Sequence, residues 1–174
     1  MRQPVIIVDY DSKWPRIFEA EKLNILGVTA GLVIAVEHIG STSVPGLGAK
    51  PIVDIMAGVH TLDEGRQTIG PLTTQLGYEY APEFEVDMPD RLYFHKHPPV
   101  GDQFHLHMVE TTGEFWERHL LFRDYLRAHP ETAQDYEQLK RRLAEEFRTN
   151  REAYTDAKSD FIQSIETKAR AEKI

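Results

Sequence analysis

Between Glu37 and Ile55 the chain reads EHIGSTSVPGLGAKPIVDI. Gly40 is followed directly by Ser41, Thr42 and Ser43, and the stretch carries a single lysine, Lys50, ahead of a single strand carboxylate, Asp54. A glycine lets the backbone leave a strand at a sharp angle. Hydroxyls and backbone N–H groups around such a turn form a concavity suited to a phosphate, and Lys50 adds positive charge. The same Ser-Thr-Ser can instead cap a short helix, with Gly46 and Gly48 only shaping the loop. A P-loop is excluded, because Ala49 separates Gly48 from Lys50 and Pro51 stands where a serine or threonine belongs. Asp54 interrupts the apolar run Ile52, Val53, Ile55, Met56. A carboxylate there is costly unless it is paired, hydrogen-bonded or bound to a metal.

A second group of chemically competent residues lies in HKHPPVGDQFHLH, which holds His95, His97, His105 and His107 as two His-x-His pairs around a loop. On a hairpin all four can converge on one face as a metal site; equally, they are exposed residues of a hairpin end that Pro98 and Pro99 splay apart. Period-two alternation puts His105 and His107 on one face and Glu110 on the other. Glu37 and His38, ending the strand before Gly40, are further candidates for a ligand or a proton-transfer group; a histidine beside a glycine turn is also commonly just a hydrogen-bonded strand end. The basic candidates are Arg91, Arg123, Arg127, Lys140 and Lys158. Arg123 and Arg127, four apart on one helix face, suit a phosphate clamp and suit equally well ion pairs with Asp124 or Glu131.

The elements that must position these residues follow from hydrophobic period. Apolar residues at Trp14, Ile17, Phe18, Leu23 and Leu26 predict a helix over 14–26. Short β-branched runs bounded by turn residues predict strands over 32–39, 52–59, 78–84, 91–95 and 104–109, with a helix over 63–76. From Gly113 the pattern is helical, stopped at Pro130. It then resumes from Glu131 to Lys173 with one buried stripe that includes Tyr136, Leu139, Leu143, Tyr154 and Ile165, broken near Thr149. Strands first and helices last predict an α/β or α+β domain with a helical C-terminal layer.

The 174 residues suit one domain. Apolar residues at 41%, charged residues at 28%, no apolar run of about 20 residues and no signal-peptide pattern predict a cytoplasmic globular protein with no membrane partner. The absence of cysteine excludes disulfides, thiolate metal sites and cysteine nucleophiles. A net charge of -8 argues against broad nucleic-acid binding, so an anionic ligand needs a focused site. Nothing in the sequence indicates the oligomeric state.

The segment HIGSTSVPGLGAKPIVDI, with DYDSKWPRIFEAE before it and HLHMVE and FRDYLRAHP after it, resembles the GrpB family, a group placed in the nucleotidyltransferase superfamily related to DNA polymerase β. The resemblance covers nearly the whole chain. It implies one domain over residues 1–174, with a mixed sheet and its glycine-serine turn in 1–112 and a helical part in 113–174. It further implies a turn that holds a nucleotide triphosphate, and carboxylates that hold Mg²⁺ for attack at the α-phosphate. Gly40 and Ser41 match that turn and Asp54 matches one carboxylate. Thr42, Ser43, Lys50 and Arg91 are placed with the phosphates, joined by Arg123 and Lys158 because FRDYLR and AYTDAKSDFI look like the family's own segments.

The sequence departs from the superfamily's Asp-x-Asp pair, since the positions two before and two after Asp54 are Ile52 and Met56. Histidines stand where a third carboxylate is expected. Asp54 with His105 and His107, and His38 as a further ligand, suits Mn²⁺ or Zn²⁺ better than two Mg²⁺ ions. Three readings follow: a metal-dependent nucleotidyltransferase using Asp54 and His107, a catalytically degenerate module that binds a nucleotide or other phosphorylated small molecule, and a histidine-centred metal-dependent phosphohydrolase.

Overall fold

The computed structural model describes residues 4–172, so residues 1–3 and 173–174 of the expected 1–174 domain, Lys173 among them, lie outside the described residues. Five strands, β1 (Ala35–Ile39), β2 (Val53–Val59), β3 (Glu79–Tyr80), β4 (Arg91–Lys96) and β5 (Phe104–Glu110), form one mixed sheet in the order β1-β2-β5-β4-β3. Only β2 and β5 run parallel; the other neighbours are antiparallel. The helices are α1 (Trp14–Val28), α2 (Leu62–Gln67), α3 (Ile69–Leu76), α4 (Glu114–Ala128), α5 (Pro130–Glu146), α6 (Arg151–Asp156) and α7 (Ser159–Glu172). This is the expected mixed sheet with a helical C-terminal layer.

The two faces of the sheet differ in chemistry, and that difference places the site. Val53, Ile55, Ala57 and Val59 of β2, with Leu92 and Phe94 of β4 and Leu106 and Met108 of β5, form the apolar core against Trp14, Phe18 and Ile25 of α1 and Leu72 of α3. Alternation sends Asp54 and Met56 the other way, beside His105, His107, Tyr93 and His95 in the ladder. That second face is covered by α4 through Phe115, Trp116 and Leu120, which pack on Ile39, Met56 and Val109.

Several boundaries differ from the sequence expectation, each for a local reason. The first strand starts at Ala35 rather than residue 32, and the strand expected over 78–84 is only Glu79–Tyr80, because Pro82 opens a short 3₁₀ turn. The helix expected over 63–76 divides at Thr68, whose hydroxyl donates to the Gly65 carbonyl at 2.7 Å. Pro130 separates α4 from α5, as expected, and itself occupies the first turn of α5, where its missing N–H costs nothing. The stripe after residue 131 breaks where expected: Asn150 caps α6 by accepting from the Ala153 N–H at 3.2 Å. A second break before Ser159 separates α6 from α7.

Candidate functional site

Gly40 leaves β1 with φ +69° and ψ -176°, and Ser41–Ser43 then form one 3₁₀ turn. Ser41, Thr42 and Ser43 are thus the short helix itself and do not cap one: Gly40 stands at its N-cap and no side chain makes a capping bond. A Cβ on Gly40 would lie 2.5 Å from Asp54 Oδ2, so only glycine lets this backbone pass over the carboxylate. The turn is held from below and behind. The Ser43 hydroxyl donates to the Gly40 carbonyl at 2.6 Å, and Arg127 of α4 donates twice to the Ser43 carbonyl, at 3.0 and 2.9 Å. Val44 and Leu47 pack into the helical layer with Leu126, Tyr136 and Ile165. Further along, Glu137 of α5 accepts from the Gly48 N–H at 2.8 Å while the Lys140 ammonium donates to the Gly48 carbonyl.

Between this turn, the start of β2 and the C-terminal helices lies a cavity of about 150 Å³ whose lining includes Gly40, Ser41, Thr42, Lys50, Asp54, His105, Lys140 and Lys158. Phe122, Tyr136 and Tyr154 complete its aromatic walls. A second cavity of about 290 Å³ shares Gly40, Phe122, Tyr136 and Lys158 with it and extends along α4 and α7 past His119 and Gln163.

Asp54 sits on the cavity floor. Its Oδ1 accepts from His105 Nδ1 at 3.2 Å, the two residues being direct partners across β2 and β5. Burial, the largest single influence, raises the carboxyl, but the hydrogen bond from His105 and the electrostatic attraction of His105, His107 and Lys50 together outweigh it and hold the carboxyl down at about 2. With Nδ1 directed at Asp54, the other ring nitrogen of His105, Nε2, lies 3.1 Å from His97 Nε2.

The three lysines have little to neutralise them. Lys140 is 2% exposed, and burial, followed by the neighbouring Lys158 charge, lowers it to about 7. Lys158 falls to about 8 through burial and the Lys50 charge, and burial lowers Lys50 too. Instead of carboxylates they rest on rings: Lys140 Nζ is 4.9 Å from the centre of Tyr136, Lys158 Nζ is 4.3 Å from Tyr154, and Lys50 Nζ is 5.8 Å from Tyr154.

Of the residues singled out from sequence, Gly40, Ser41, Thr42, Lys50, Asp54, His105, Lys140 and Lys158 come together around this cavity. The rest are placed elsewhere. Ser43 is buried in the turn. His38 points to the opposite face, stacked on Phe18 at 4.7 Å with Nε2 2.9 Å from the Thr42 hydroxyl, and burial lowers its pKa to about 4. His107 lies farther along β5 between Tyr93 and Phe115, with Nδ1 unpartnered and its pKa lowered to about 3, chiefly by burial. Arg91 packs over the Phe115 ring at 4.6 Å. Arg123 ties α4 to β1, donating to Glu37 at 2.6 Å and to the His38 carbonyl at 3.2 Å.

Lys140, named above only as a basic residue, and Tyr136 and Tyr154, read as members of the apolar stripe, prove to line the cavity. Tyr136 with Lys140 and Tyr154 with Lys158 repeat one Tyr-x-x-x-Lys spacing, which stacks each ammonium on its own tyrosine but does not by itself reveal a cavity.

A family model described as GrpB protein matches residues 4–168. The chain belongs to the GrpB family. It is 36% identical to the UPF0157 protein YqkA of Bacillus subtilis (strain 168) over 171 residues, 97% of this chain and 48% of that relative, so it spans about half that relative's length. Among solved structures, a conserved protein GrpB from Enterococcus faecalis superposes with a TM-score of 0.84 at 34% identity, covering 97% of this chain and 99% of the other. A weaker overlap, TM-score 0.48 at 16% identity over 79% of this chain and 43% of the other, is with Terminal uridylyl transferase 4 from Trypanosoma brucei with bound UTP.

The resemblance brings with it the expectation of a divalent metal, which the donor set can be tested against. Asp54 is the one carboxylate on the cavity lining, one of its oxygens is engaged by His105, and three lysines share the space. Among the described residues, no group of three or more His, Asp or Glu side chains is arranged to hold a metal ion. Mg²⁺ takes about six oxygen ligands and is repelled by ammonium groups, so a single half-engaged carboxylate among three lysines does not fit the two-Mg²⁺ arrangement. Three of the four loop histidines do approach one another, His95 stacking on His97 at 5.1 Å and His97 meeting His105, while His107 stands apart opposite Tyr93. Among the described residues no helix is long and apolar enough to cross a membrane.

Proposed function

We propose that the cavity under the Gly40–Ser43 turn binds the phosphate groups of a nucleotide or another phosphorylated small molecule, and that the protein acts as a binding module for it. One observation carries this reading: Ser41, Lys50, Lys140 and Lys158 converge on a single cavity that offers three ammonium groups against one carboxylate. Cations held without carboxylate partners in a partly desolvated cleft are strained electrostatically until an anion arrives. The cavity's volume of about 150 Å³ is smaller than the roughly 300–1,000 Å³ of most small-molecule sites, so it takes the phosphates, and the rest of the ligand extends into the adjoining 290 Å³ space. Binding without transfer is favoured by the acid inventory. Asp54 alone, already hydrogen-bonded to His105, does not supply the paired carboxylates of a two-metal transferase.

Thermal unfolding with each of the four ribonucleoside triphosphates, and with inorganic phosphates, tests the reading on wild type and on Lys50→Ala. Ligand at about 100 times its Kd stabilises by about 2.7 kcal/mol, which moves the midpoint by roughly 5–10 °C in a domain of this size. A shift in wild type that Lys50→Ala loses supports the proposal. No shift with any phosphorylated compound refutes it.

A further inference from the structure

The superfamily that this chain resembles would balance a phosphate chain with divalent metal held by carboxylates, yet the cavity is built with the opposite charge. Lys50, Lys140 and Lys158 reach it from three separate parts of the chain: the loop after the turn, α5, and the junction of α6 and α7. Lys140 is held in place by the Gly48 carbonyl, and the other two rest on the Tyr154 ring. Such cation–π support keeps an ammonium in position without cancelling its charge. Among the described residues, none of the three lysines forms an ion pair with a carboxylate, whereas Lys96, elsewhere on the sheet, pairs with Glu21 at 3.0 Å. The cavity therefore carries three positive groups and one negative group, Asp54, whose Oδ1 is occupied by His105.

We propose that the three lysines take the place of the metal, so that the cavity binds a compact polyphosphate group, a diphosphate or the tail of a triphosphate, without a divalent cation. This rests on the phosphate-binding reading above and adds to it a substrate form: the metal-free anion rather than its magnesium complex. With an anion bound and all three lysines protonated, two excess positive charges in a space of about 150 Å³ match a short chain of anionic phosphates. A magnesium ion brought in with the phosphates would meet three ammonium groups and one free carboxylate oxygen, and it would cancel the ligand charge that the lysines attract. The perturbed lysines point the same way. Lys140, lowered by burial and by the Lys158 and Lys50 charges, and Lys158, lowered by burial and by the Lys50 charge, regain full protonation when an anion enters, so binding above neutral pH is accompanied by proton uptake.

Isothermal titration calorimetry with inorganic diphosphate and triphosphate, on the folded full chain in EDTA and again in excess Mg²⁺, tests this. The expected result is binding in EDTA at least as tight as in Mg²⁺, weakened tenfold or more in the Lys50→Met/Lys158→Met double variant. Circular dichroism checks that this variant folds, and Lys158→Arg, which keeps the charge, retains most of the affinity. Binding that appears only with Mg²⁺ overturns the metal-free inference while leaving phosphate binding intact. Binding in neither buffer overturns both.

Discussion

Replacing Gly40 with alanine probes the contact on which the site geometry depends, that of the turn with Asp54. Gly40 has φ +69° and ψ -176°, a backbone region essentially restricted to glycine, and strain of this kind costs about 1–3 kcal/mol. The new methyl would also meet Asp54 Oδ2 at 2.5 Å, Cβ at 3.0 Å and Cγ at 3.1 Å. Relief requires the carboxylate to move, which stretches its 3.2 Å bond from His105, and losing a hydrogen bond to a charged group costs about 1.5–3 kcal/mol. Gly40→Ala is therefore expected to destabilise by about 3–5 kcal/mol in urea unfolding followed by circular dichroism. Gly46→Ala is the control for backbone alone: Gly46 also has positive φ, at +80°, but a Cβ there has no heavy atom within 4 Å. In an Asp54→Ala background the excess cost of Gly40→Ala over Gly46→Ala should shrink by about 1–2 kcal/mol, since the Oδ2 and Cγ contacts are gone and only the Cβ contact at 3.0 Å remains. Equal costs for the two glycine variants, or an excess unchanged by Asp54→Ala, would refute the close approach of turn and carboxylate.

Three further outcomes are expected. His38, His107 and His119 have folded pKa values of about 4, 3 and 4 against 6.5 unfolded, so the unfolded chain takes up protons first and stability is lost as pH falls below 6.5. Melting at pH 7 and pH 5 should show a loss of about 2 kcal/mol for His38 alone, and His38→Asn should reduce that loss; Asp54, lowered to about 2, titrates below this window. Lys140 and Lys158, at about 7 and 8, lie below their unfolded values, so without ligand the protein should gain stability from pH 7 to pH 10, a rise that Lys140→Met flattens. Arg123→Ala, which leaves Glu37 without its 2.6 Å partner, should cost about 3 kcal/mol in denaturant unfolding while phosphate affinity stays within about twofold, because Arg123 is outside the cavity lining.

The parts of the site that were legible in the sequence are those that local chemistry dictates. Gly40 with the three hydroxyl residues announces a tight turn, Asp54 is conspicuous in its apolar strand, and period two correctly puts His105 and His107 on the face that Asp54 shares. Period alone could not show that a two-residue advance along β5 carries His107 past the cavity and under Phe115. His38 misled for a related reason: it adjoins the turn in sequence, but alternation turns it to the opposite face, against Phe18. Lys140 and Lys158 were harder still. They are brought in by helices about a hundred residues beyond the turn, and Tyr136 and Tyr154 satisfy the apolar stripe so well that nothing in the pattern marks them as cavity walls. Helix periodicity gives the buried face of α5 through α7 but not what that face is buried against, and here it lies partly against Val44 and Leu47 of the turn itself.

That dependence also has a physical consequence for the site. Besides its own hydrogen bonds, the turn is held by α4 through Arg127 on the Ser43 carbonyl, and the loop after it by α5 through Glu137 and Lys140 on Gly48. The sheet supplies the carboxylate and the helical layer supplies both the support and most of the charge. Loosening that layer should therefore weaken anion binding before it unfolds the sheet.

The most direct measurement is a crystal structure of the full chain with a non-hydrolysable nucleoside triphosphate at saturating concentration. Phosphate density beneath the Gly40–Ser43 turn, with oxygens within hydrogen-bond distance of the Lys50, Lys140 and Lys158 ammonium groups and no intervening cation, is what the account predicts. Density for the ligand at another surface, or a phosphate chain bridged to Asp54 and the histidines by a metal ion while the lysines turn away, would contradict it.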